Sequence, residues 1–244
     1  MAFVIEHDRT ATEFDDDTLL VFVDETGDER LSSFEVPYFG FGGCLCRASD
    51  YETAIERSWT ILESKFSYKG SRLHASELNP KELSDAQKSA LGTYFAKGAF
   101  GRFAAIAKSS MINETEHSAF HLTAYMAIQQ MLEVIKRMGG DFSGIVMLFE
   151  HSQRLDSLYN DYFRRYDFRR KDGAKVPCFF ATQAKNTGKE LLAGLVVADF
   201  VAHTAGSMSR TTQGGTVKAK RRDFAAIFSH EFASHMFIDA IRSQ

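Results

Sequence analysis

The chain has 244 residues and a formal net charge of −3, with 44% hydrophobic and 25% charged residues. This balance is typical of a globular protein and argues against one that coats nucleic acid through bulk positive charge. With only three prolines and no segment rich in Pro, Gly or Ser, the chain shows no linker. We therefore predict one domain over 1–244, with a C-terminal helical extension from about 207.

Two features bear on location. The first 13 residues lack a cationic segment followed by an apolar one, and the longest apolar run, Leu191–Ala205, contains Asp199 and His203. Neither a signal peptide nor a membrane span is predicted, so we expect a cytoplasmic protein. The three cysteines lack metal-binding spacing and are interpreted as buried reduced thiols.

The first predicted elements are strands. The polar residues 1–17 indicate a frayed lead-in, Leu19–Val23 predicts a buried strand that ends at Asp24, and residues 37–46 predict a second strand, paired with the first as a hairpin. Glycines in the second strand permit close packing. Further strands are predicted over 102–109, 144–149 and 177–183. Two early helices are predicted, one of about 15 residues that starts at Asp50 and one from Ser84 to about Lys97. Later helices are predicted over about 116–138, 155–166, 189–207 and 223–242. The alternation after residue 100 indicates an α/β fold with parallel strand pairs.

Three acidic residues stand where simple patterning does not place them. Asp24 and Glu150 end apolar strands, and Asp199 lies on the apolar face of a predicted helix. A buried carboxylate costs several kcal/mol unless it is paired, protonated or bound to metal. Together the three predict a Mg²⁺ or Mn²⁺ site, which suits phosphodiester cleavage. Taken singly, Asp24 also fits a turn, Glu150 an acid near a helix N-cap or a salt-bridge partner, and Asp199 a hydrogen-bonded buried acid.

Four segments resemble a bacterial family of unknown function, numbered 3800. They are the strand end Val23–Asp28, the segment His74–Leu78, the strand end Phe149–Glu150 and the helix Leu195–Ala202. That family is similar to RNase H-like nucleases and integrases. The resemblance implies an α/β RNase H-like fold, a mixed central sheet flanked by helices.

The resemblance also implies roles. Asp24, Glu150 and Asp199 would be metal ligands, and Glu77 a further ligand or base. The chain departs from the family's pattern with Thr26 for Ser, Val196 for Gln and Glu150 for Asp. Loss of the amide at Val196 puts a polar contact near Asp199 in doubt.

Several other residues have two interpretations. If their segment is helical, His74 and Glu77 lie on one face. They are then either a proton shuttle and a base of the site or an ordinary surface pair. Glu25 is a ligand or a solvated residue, depending on the turn. Lys185 neutralises a phosphate or is solvated. The same choice, nucleic-acid contact or solvated surface, applies to two basic clusters: Arg164, Arg165, Arg169, Arg170 and Lys171, and Lys218, Lys220, Arg221 and Arg222.

The leading hypothesis is a divalent-metal-dependent nuclease or phosphodiesterase acting on RNA or DNA. One alternative is a non-catalytic RNase H-like interaction module of a defence or mobile-element system, and another is a metal-dependent hydrolase of nucleotides. A protein partner or homo-oligomer stays open, and no membrane partner is expected.

Overall fold

A computed structural model describes residues 3–7, 10–29, 38–66, 73–75, 78, 83–108, 118–183, 191–211 and 227–238. Several predicted site residues lie outside these ranges, namely Glu77, Lys185, Lys218, Lys220, Arg221 and Arg222.

A hairpin and a six-stranded sheet contain the described strands. The hairpin pairs β1 (Phe3–His7) with β2 (Thr10–Phe14). The sheet strands are β3 (Leu19–Gly27), β4 (Tyr38–Arg47), β5 (Gly101–Lys108), β6 (Ile145–Glu150), β7 (Cys178–Gln183) and β8 (Ala233–Ile238). Their order is β7-β6-β3-β4-β5-β8. β4 pairs antiparallel with β3 and β5, whereas β3–β6, β6–β7 and β5–β8 are parallel.

Helices cover both faces of the sheet. They are α1 (Ala48–Tyr51), which continues through a π-helical segment (Glu52–Glu56) into α2 (Arg57–Glu63), then α3 (Asp85–Lys97), α4 (Ser118–Met138), α5 (Asp156–Tyr162) and α6 (Ala193–Thr211). One core lies between the sheet and α1, α2, α3 and α6, and a second between the sheet and α4 and α5. This mixed α/β sheet flanked by helices confirms the predicted class and is compatible with an RNase H-like fold.

Alternation along β3 divides its side chains between the two cores. Leu20 and Phe22 join the core under α6, whereas Leu19, Val21 and Val23 join the core under α4. Successive side chains of a strand point to opposite faces of its sheet, so a central strand must be apolar at every position. The unbroken apolar run before Asp24 reflects this central position.

Glycines let α6 lie close to the sheet. A Cβ at Gly42 would stand 2.5 Å from the backbone N and Cα of Ala202, and a Cβ at Gly194 would stand 2.5 Å from the Phe22 ring. Both distances are far shorter than van der Waals contact. The close packing predicted for the second strand is therefore confirmed at Gly42.

Two helix ends follow the predicted signals. The Ser84 side chain accepts from the Gln87 N–H while the Gln87 side chain accepts from the Ser84 N–H, a capping box that starts α3. Gly139 and Gly140 follow α4 with φ of +69° and +88°, which glycine adopts without strain.

The predicted lead-in over 1–17 is wrong, because β1 and β2 form a hairpin. Phe3 packs edge-on to Tyr51 at 5.0 Å between ring centroids, and Phe14 packs on Phe179 at 5.1 Å. Apolar residues at alternate positions give this hairpin one buried face, which the polar composition obscured.

The C-terminal helical prediction is also wrong in part. α6 runs to Thr211, but residues 233–238 form β8, which adds a parallel strand beside β5. β5 is buried along its whole length and presents an edge that β8 covers. Two other boundaries differ: α1 begins at Ala48, so Asp50 lies in its first turn rather than at its cap, and α5 ends at Tyr162. No described helix is long and apolar enough to cross a membrane.

Candidate active site

Asp24 and Glu150 lie side by side where two parallel strands stop pairing. The register of β3 and β6 ends at Val23 opposite Phe149, and the next residue on each strand is the acid. β3 itself continues to Gly27 against β4, so the prediction that the strand ends at Asp24 is wrong. The carboxyl ends of neighbouring parallel strands meet at one edge of a sheet, and both carboxylates lie there.

The close approach of α6 brings Asp199 to the same edge. Asp24 is opposite Gly42 in the β3–β4 register, and Gly42 is the point at which Ala202 of α6 touches the sheet. Asp199 precedes Ala202 by three residues and so shares its helix face. Its side chain is buried, with 4% of its surface exposed.

One open cleft of about 500 Å³, including the solvent at its mouth, contains these acids. Asp24, Glu150 and Asp199 are separated by up to 175 positions in the chain, yet all three line it. Its complete lining is Asp24, Glu25, His74, Glu150, His151, Ser152, Asp199 and His203. The structure therefore brings together every predicted site acid that it describes, together with His74.

The Asp199 carboxylate orients two histidines. His203 Nε2 lies 3.0 Å from Oδ1, and His74 Nδ1 lies 3.4 Å from Oδ2, which also accepts the Ala75 N–H at 2.8 Å. Burial by itself raises the pKa of Asp199, but the hydrogen bonds from His203, His74 and Ala75 hold that pKa well below its ordinary value. Asp199 is thus ionised and satisfied in the buried state.

The environment of Asp24 shifts its pKa in the opposite direction from that of Asp199. Burial first, and then the negative charges of Glu25, Asp199 and Glu150, raise the pKa of Asp24 well above its ordinary value, and only a backbone N–H opposes them. Like charges that share one site disfavour ionisation of one member. This end of the cleft favours a proton or a cation.

Glu25 is held by a buried tyrosine. The Tyr159 hydroxyl donates a short hydrogen bond to Glu25 Oε2. Burial raises the pKa of Glu25, as does the charge of Glu150, while Tyr159 and the nearby Arg154 guanidinium oppose the increase. Glu25 therefore lines the cleft rather than facing bulk solvent.

The residues that come directly after β6 in the chain, His151 and Ser152, also line the cleft. His151 Nδ1 is in close contact with one carboxylate oxygen of Asp156, whose other oxygen accepts the Ser152 N–H at 2.9 Å. This contact ties the first residues after Glu150 to the start of α5.

Within the described part of the chain, no group of three or more His, Cys, Asp or Glu side chains has the arrangement of a metal site. The donors nevertheless have suitable chemistry, because four carboxylates supply the hard oxygens that Mg²⁺ and Mn²⁺ prefer. Asp199 already accepts three hydrogen bonds and Glu25 one, so side chains around Asp24 would have to move to enclose an ion. The donor set fits a divalent cation, and its present spacing does not.

Sequence analysis did not identify three residues of the cleft lining as functional: His151, Ser152 and His203. Of these, His203 contacts a predicted site acid. It follows Asp199 by four residues on α6, and residues at this spacing contact each other on a helix. An acid and a histidine four apart inside an apolar run was the available signal. Glu77 and Lys185 lie outside the described residues, as does the cluster Lys218, Lys220, Arg221 and Arg222.

The other basic cluster lies beyond α5, on the surface. All its cationic members, Arg164, Arg165, Arg169, Arg170 and Lys171, are exposed. Phe163 and Phe168, the rings interleaved with them, are 1% and 3% exposed and belong to the core under α4 and α5. Of the interleaved rings, only Tyr166 retains an exposed part.

No protein-family model matches the chain, and no curated protein matches its sequence. The resemblance to the bacterial family numbered 3800 therefore stays a prediction.

Proposed function

We propose that this protein is a divalent-metal-dependent phosphodiesterase acting on RNA or DNA in the cytoplasm. The observation that carries the proposal is the meeting of Asp24, Glu150 and Asp199 in one cleft, at the point where the pairing of β3 with β6 ends. Several carboxylates directed at one space are costly for the fold and are useful for binding a cation.

Asp24 and Glu150 are the proposed principal ligands of Mg²⁺ or Mn²⁺. The raised pKa of Asp24, caused by burial and by three neighbouring carboxylates, indicates excess negative charge that a divalent cation would neutralise. When bound, the ion would supply Lewis-acid stabilisation of phosphate oxygens and activation of water. A proton on Asp24 competes with the cation, so affinity for the ion should increase with pH.

Asp199 and its histidines have a complementary proposed role. Asp199 holds the rings of His203 and His74 at the cleft with one carboxylate oxygen each, which fixes their orientation. A ring held in this way can transfer a proton to or from a phosphate ester oxygen. His203 is the more exposed of the two, with 28% of its side chain accessible against 14% for His74.

The test is cleavage of end-labelled single- and double-stranded RNA and DNA in Mg²⁺, Mn²⁺ or EDTA. Wild type should cut at least one polymer only with metal, and Asp24→Asn and Glu150→Gln should each lose about 100-fold or more of the rate, since even groups behind metal ligands matter by about 10–100-fold. Glu52→Gln is the matched control, because that side chain is 55% exposed between α1 and α2 and lies outside the cleft. Equal rates in all four proteins would refute the proposal.

The non-catalytic interaction module has one observation in its favour. Asp199 is satisfied by two histidines and a backbone N–H, so its burial does not by itself require an ion. Under this alternative, neither Mg²⁺ nor Mn²⁺ raises the melting temperature and no polymer is cleaved. Turnover of small phosphoesters without polymer cleavage would instead identify a hydrolase of nucleotides.

A further inference from the structure

Four partly or fully exposed aromatic rings come from α4, from the end of α5 and from the residues after it. His121 and Tyr125 lie one turn apart on α4 and are both exposed, Tyr125 by 50%. The His121 ring is 5.9 Å from that of Tyr162, the last residue of α5, and Tyr166 follows four residues later, beyond the end of that helix. We name these four rings, His121, Tyr125, Tyr162 and Tyr166, the tyrosine surface.

The three tyrosines of this surface interact electrostatically. Partial burial raises the pKa of Tyr162, and the proximity of Tyr166 and Tyr125 raises it further. The pKa of Tyr166 is raised by partial burial and by Tyr125. The ring contact between His121 and Tyr162 joins α4 to α5 at this surface, and Tyr125 stands one turn along α4 from His121.

α5 connects the tyrosine surface to the cleft. Tyr159 donates its hydroxyl to Glu25, which lines the cleft, and Tyr162 is three residues further along, a rise of about 4.5 Å. The start of α4 is near the same edge, because Phe120 packs on Phe41, the residue paired with Glu25. The tyrosine surface therefore lies on the side of the sheet to which Glu25 points, the side covered by α4 and α5.

Positive charge continues from the rings. Residues 161–175 contain six Arg or Lys residues and three Asp residues, in a chain whose net charge is −3. Arg165 pairs with Asp161 and Arg169 with Asp167. Three cations in this segment pair with no carboxylate among the described residues: Arg164, Lys171 and Arg170, which donates to the Phe142 carbonyl.

We propose that the tyrosine surface and Arg164 bind a single-stranded nucleic acid and lead it to the cleft. The bases stack on Tyr125 and Tyr162, and the phosphates contact the neighbouring arginine. Stacking needs the face of a base, which a duplex conceals, so the surface selects single strands. This inference rests on the proposed function, since it supplies the substrate class for the same cleft.

The test measures binding rather than cleavage, in EDTA. Fluorescence anisotropy of labelled oligothymidine and of a blunt duplex is recorded for wild type, Tyr125→Ala and Tyr125→Phe. Tyr125 is the position of choice because a half-exposed ring is removed at little risk to folding, which a melting curve checks. Tyr125→Ala should weaken single-strand binding about tenfold, equivalent to about 1.4 kcal/mol, while Tyr125→Phe retains the ring and changes affinity less than about twofold.

Two arginine variants distinguish a direct phosphate contact from the loss of a positive charge anywhere on the surface. Arg164→Ala should lower the slope of log affinity against log salt by about 0.7, the value for one phosphate of a single strand. Arg57→Ala is the matched control, because Arg57 is 66% exposed on α2, on the opposite face of the sheet, and should leave the slope unchanged.

Three results would overturn the inference. The first is that Tyr125→Ala weakens duplex binding as much as single-strand binding, and the second is that Tyr125→Phe weakens single-strand binding as much as Tyr125→Ala does. The third is that Arg164→Ala and Arg57→Ala have the same slope of log affinity against log salt. Because no metal is present, single-strand binding that depends on Tyr125 supports the surface even if no polymer is cleaved. Cleavage that is independent of Tyr125 and Arg164 would leave the proposed function standing and refute the surface alone.

Discussion

Two aspartates in the same cleft should have opposite effects on stability. In Asp24, folding places a carboxyl among three other carboxylates, so replacement by Asn removes a repulsion. In Asp199, folding provides hydrogen bonds from His203, His74 and Ala75 that only a carboxylate accepts fully. Without metal at neutral pH, Asp24→Asn should therefore stabilise the protein and Asp199→Asn should destabilise it.

The magnitudes follow from these environments. Relief of strain at a functional site commonly adds about 0.5–2 kcal/mol. Loss of buried hydrogen bonds to a charged group costs about 1–3 kcal/mol. For a protein of this size, each kcal/mol shifts the melting temperature by about 2–4 °C. Asp24→Asn should thus melt several degrees above wild type, and Asp199→Asn several degrees below it.

The pH dependence distinguishes these effects from simple repacking. The folded pKa of Asp24 is raised, so its contribution to stability is present below the ordinary value of 3.8 and is lost as pH rises through the folded pKa. The folded pKa of Asp199 is lowered, so its contribution is present above the ordinary value of 3.8 and is lost as pH falls through the folded pKa. Asp24→Asn should therefore approach wild type in acid and exceed it towards neutral pH, whereas Asp199→Asn should melt below wild type over the whole range above the low folded pKa of Asp199.

Thermal melts in EDTA from pH 3 to 8, repeated with Mn²⁺, provide the assay. At a concentration 100 times its dissociation constant, the ion adds about 2.7 kcal/mol to wild type, or about 5–11 °C, and this gain should disappear in Asp24→Asn. Asp161→Asn controls for the loss of one exposed carboxylate. If Asp24→Asn melts below wild type in EDTA at pH 7, the argument from charge crowding is wrong.

Three further predictions concern packing, a buried hydrogen bond and the reactivity of a cysteine. Gly42→Ala should lower the free energy of unfolding by about 1–3 kcal/mol, because its Cβ would meet Ala202. Gly92→Ala, in open space on α3, should raise the free energy of unfolding by about 0.5–1 kcal/mol. Chemical denaturation measures both variants, and a Gly42→Ala protein as stable as wild type would contradict the close packing. Tyr159→Phe should lower stability by about 1–2 kcal/mol through loss of the bond to Glu25, and an unchanged melting curve would refute that bond. Burial raises the pKa of Cys178 to about 11, so its alkylation at pH 8 should be on the order of 100-fold slower than that of a free thiol, with the unfolded protein as control.

The parts of the fold predicted from sequence are those with a strong local signal. The apolar run Leu19–Val23 is a central strand, Ser84 forms a capping box, and Gly139 ends α4. The hairpin at residues 3–14 and the strand Ala233–Ile238 were missed. Both depend on partners distant in sequence, since the hairpin packs on α1 and β7 and the strand pairs with β5. Local pattern carries no information about such partners.

The candidate site shows the same division. The acids stood out because Asp24, Glu150 and Asp199 interrupt apolar segments, and a carboxylate within an apolar segment is costly. Their differences were not predictable, because the pKa of Asp24 rises through burial and neighbouring carboxylates while that of Asp199 falls through contacts with two histidines, and these depend on tertiary neighbours. His203 is a similar case, since its role depends on the direction in which α6 faces.

A single packing contact couples the fold to the proposed chemistry. Gly42 is paired with Asp24 on one side and touches Ala202 on its face, so the absent side chain sets how near α6 comes to β3. That distance decides how strongly Asp199 repels Asp24, and hence how readily the cleft accepts a cation. Since any side chain at this position would push α6 outward, a larger residue should lower the charge crowding and weaken ion binding even if the protein still folds. The glycine is therefore as much a part of the proposed site as the acids beside it.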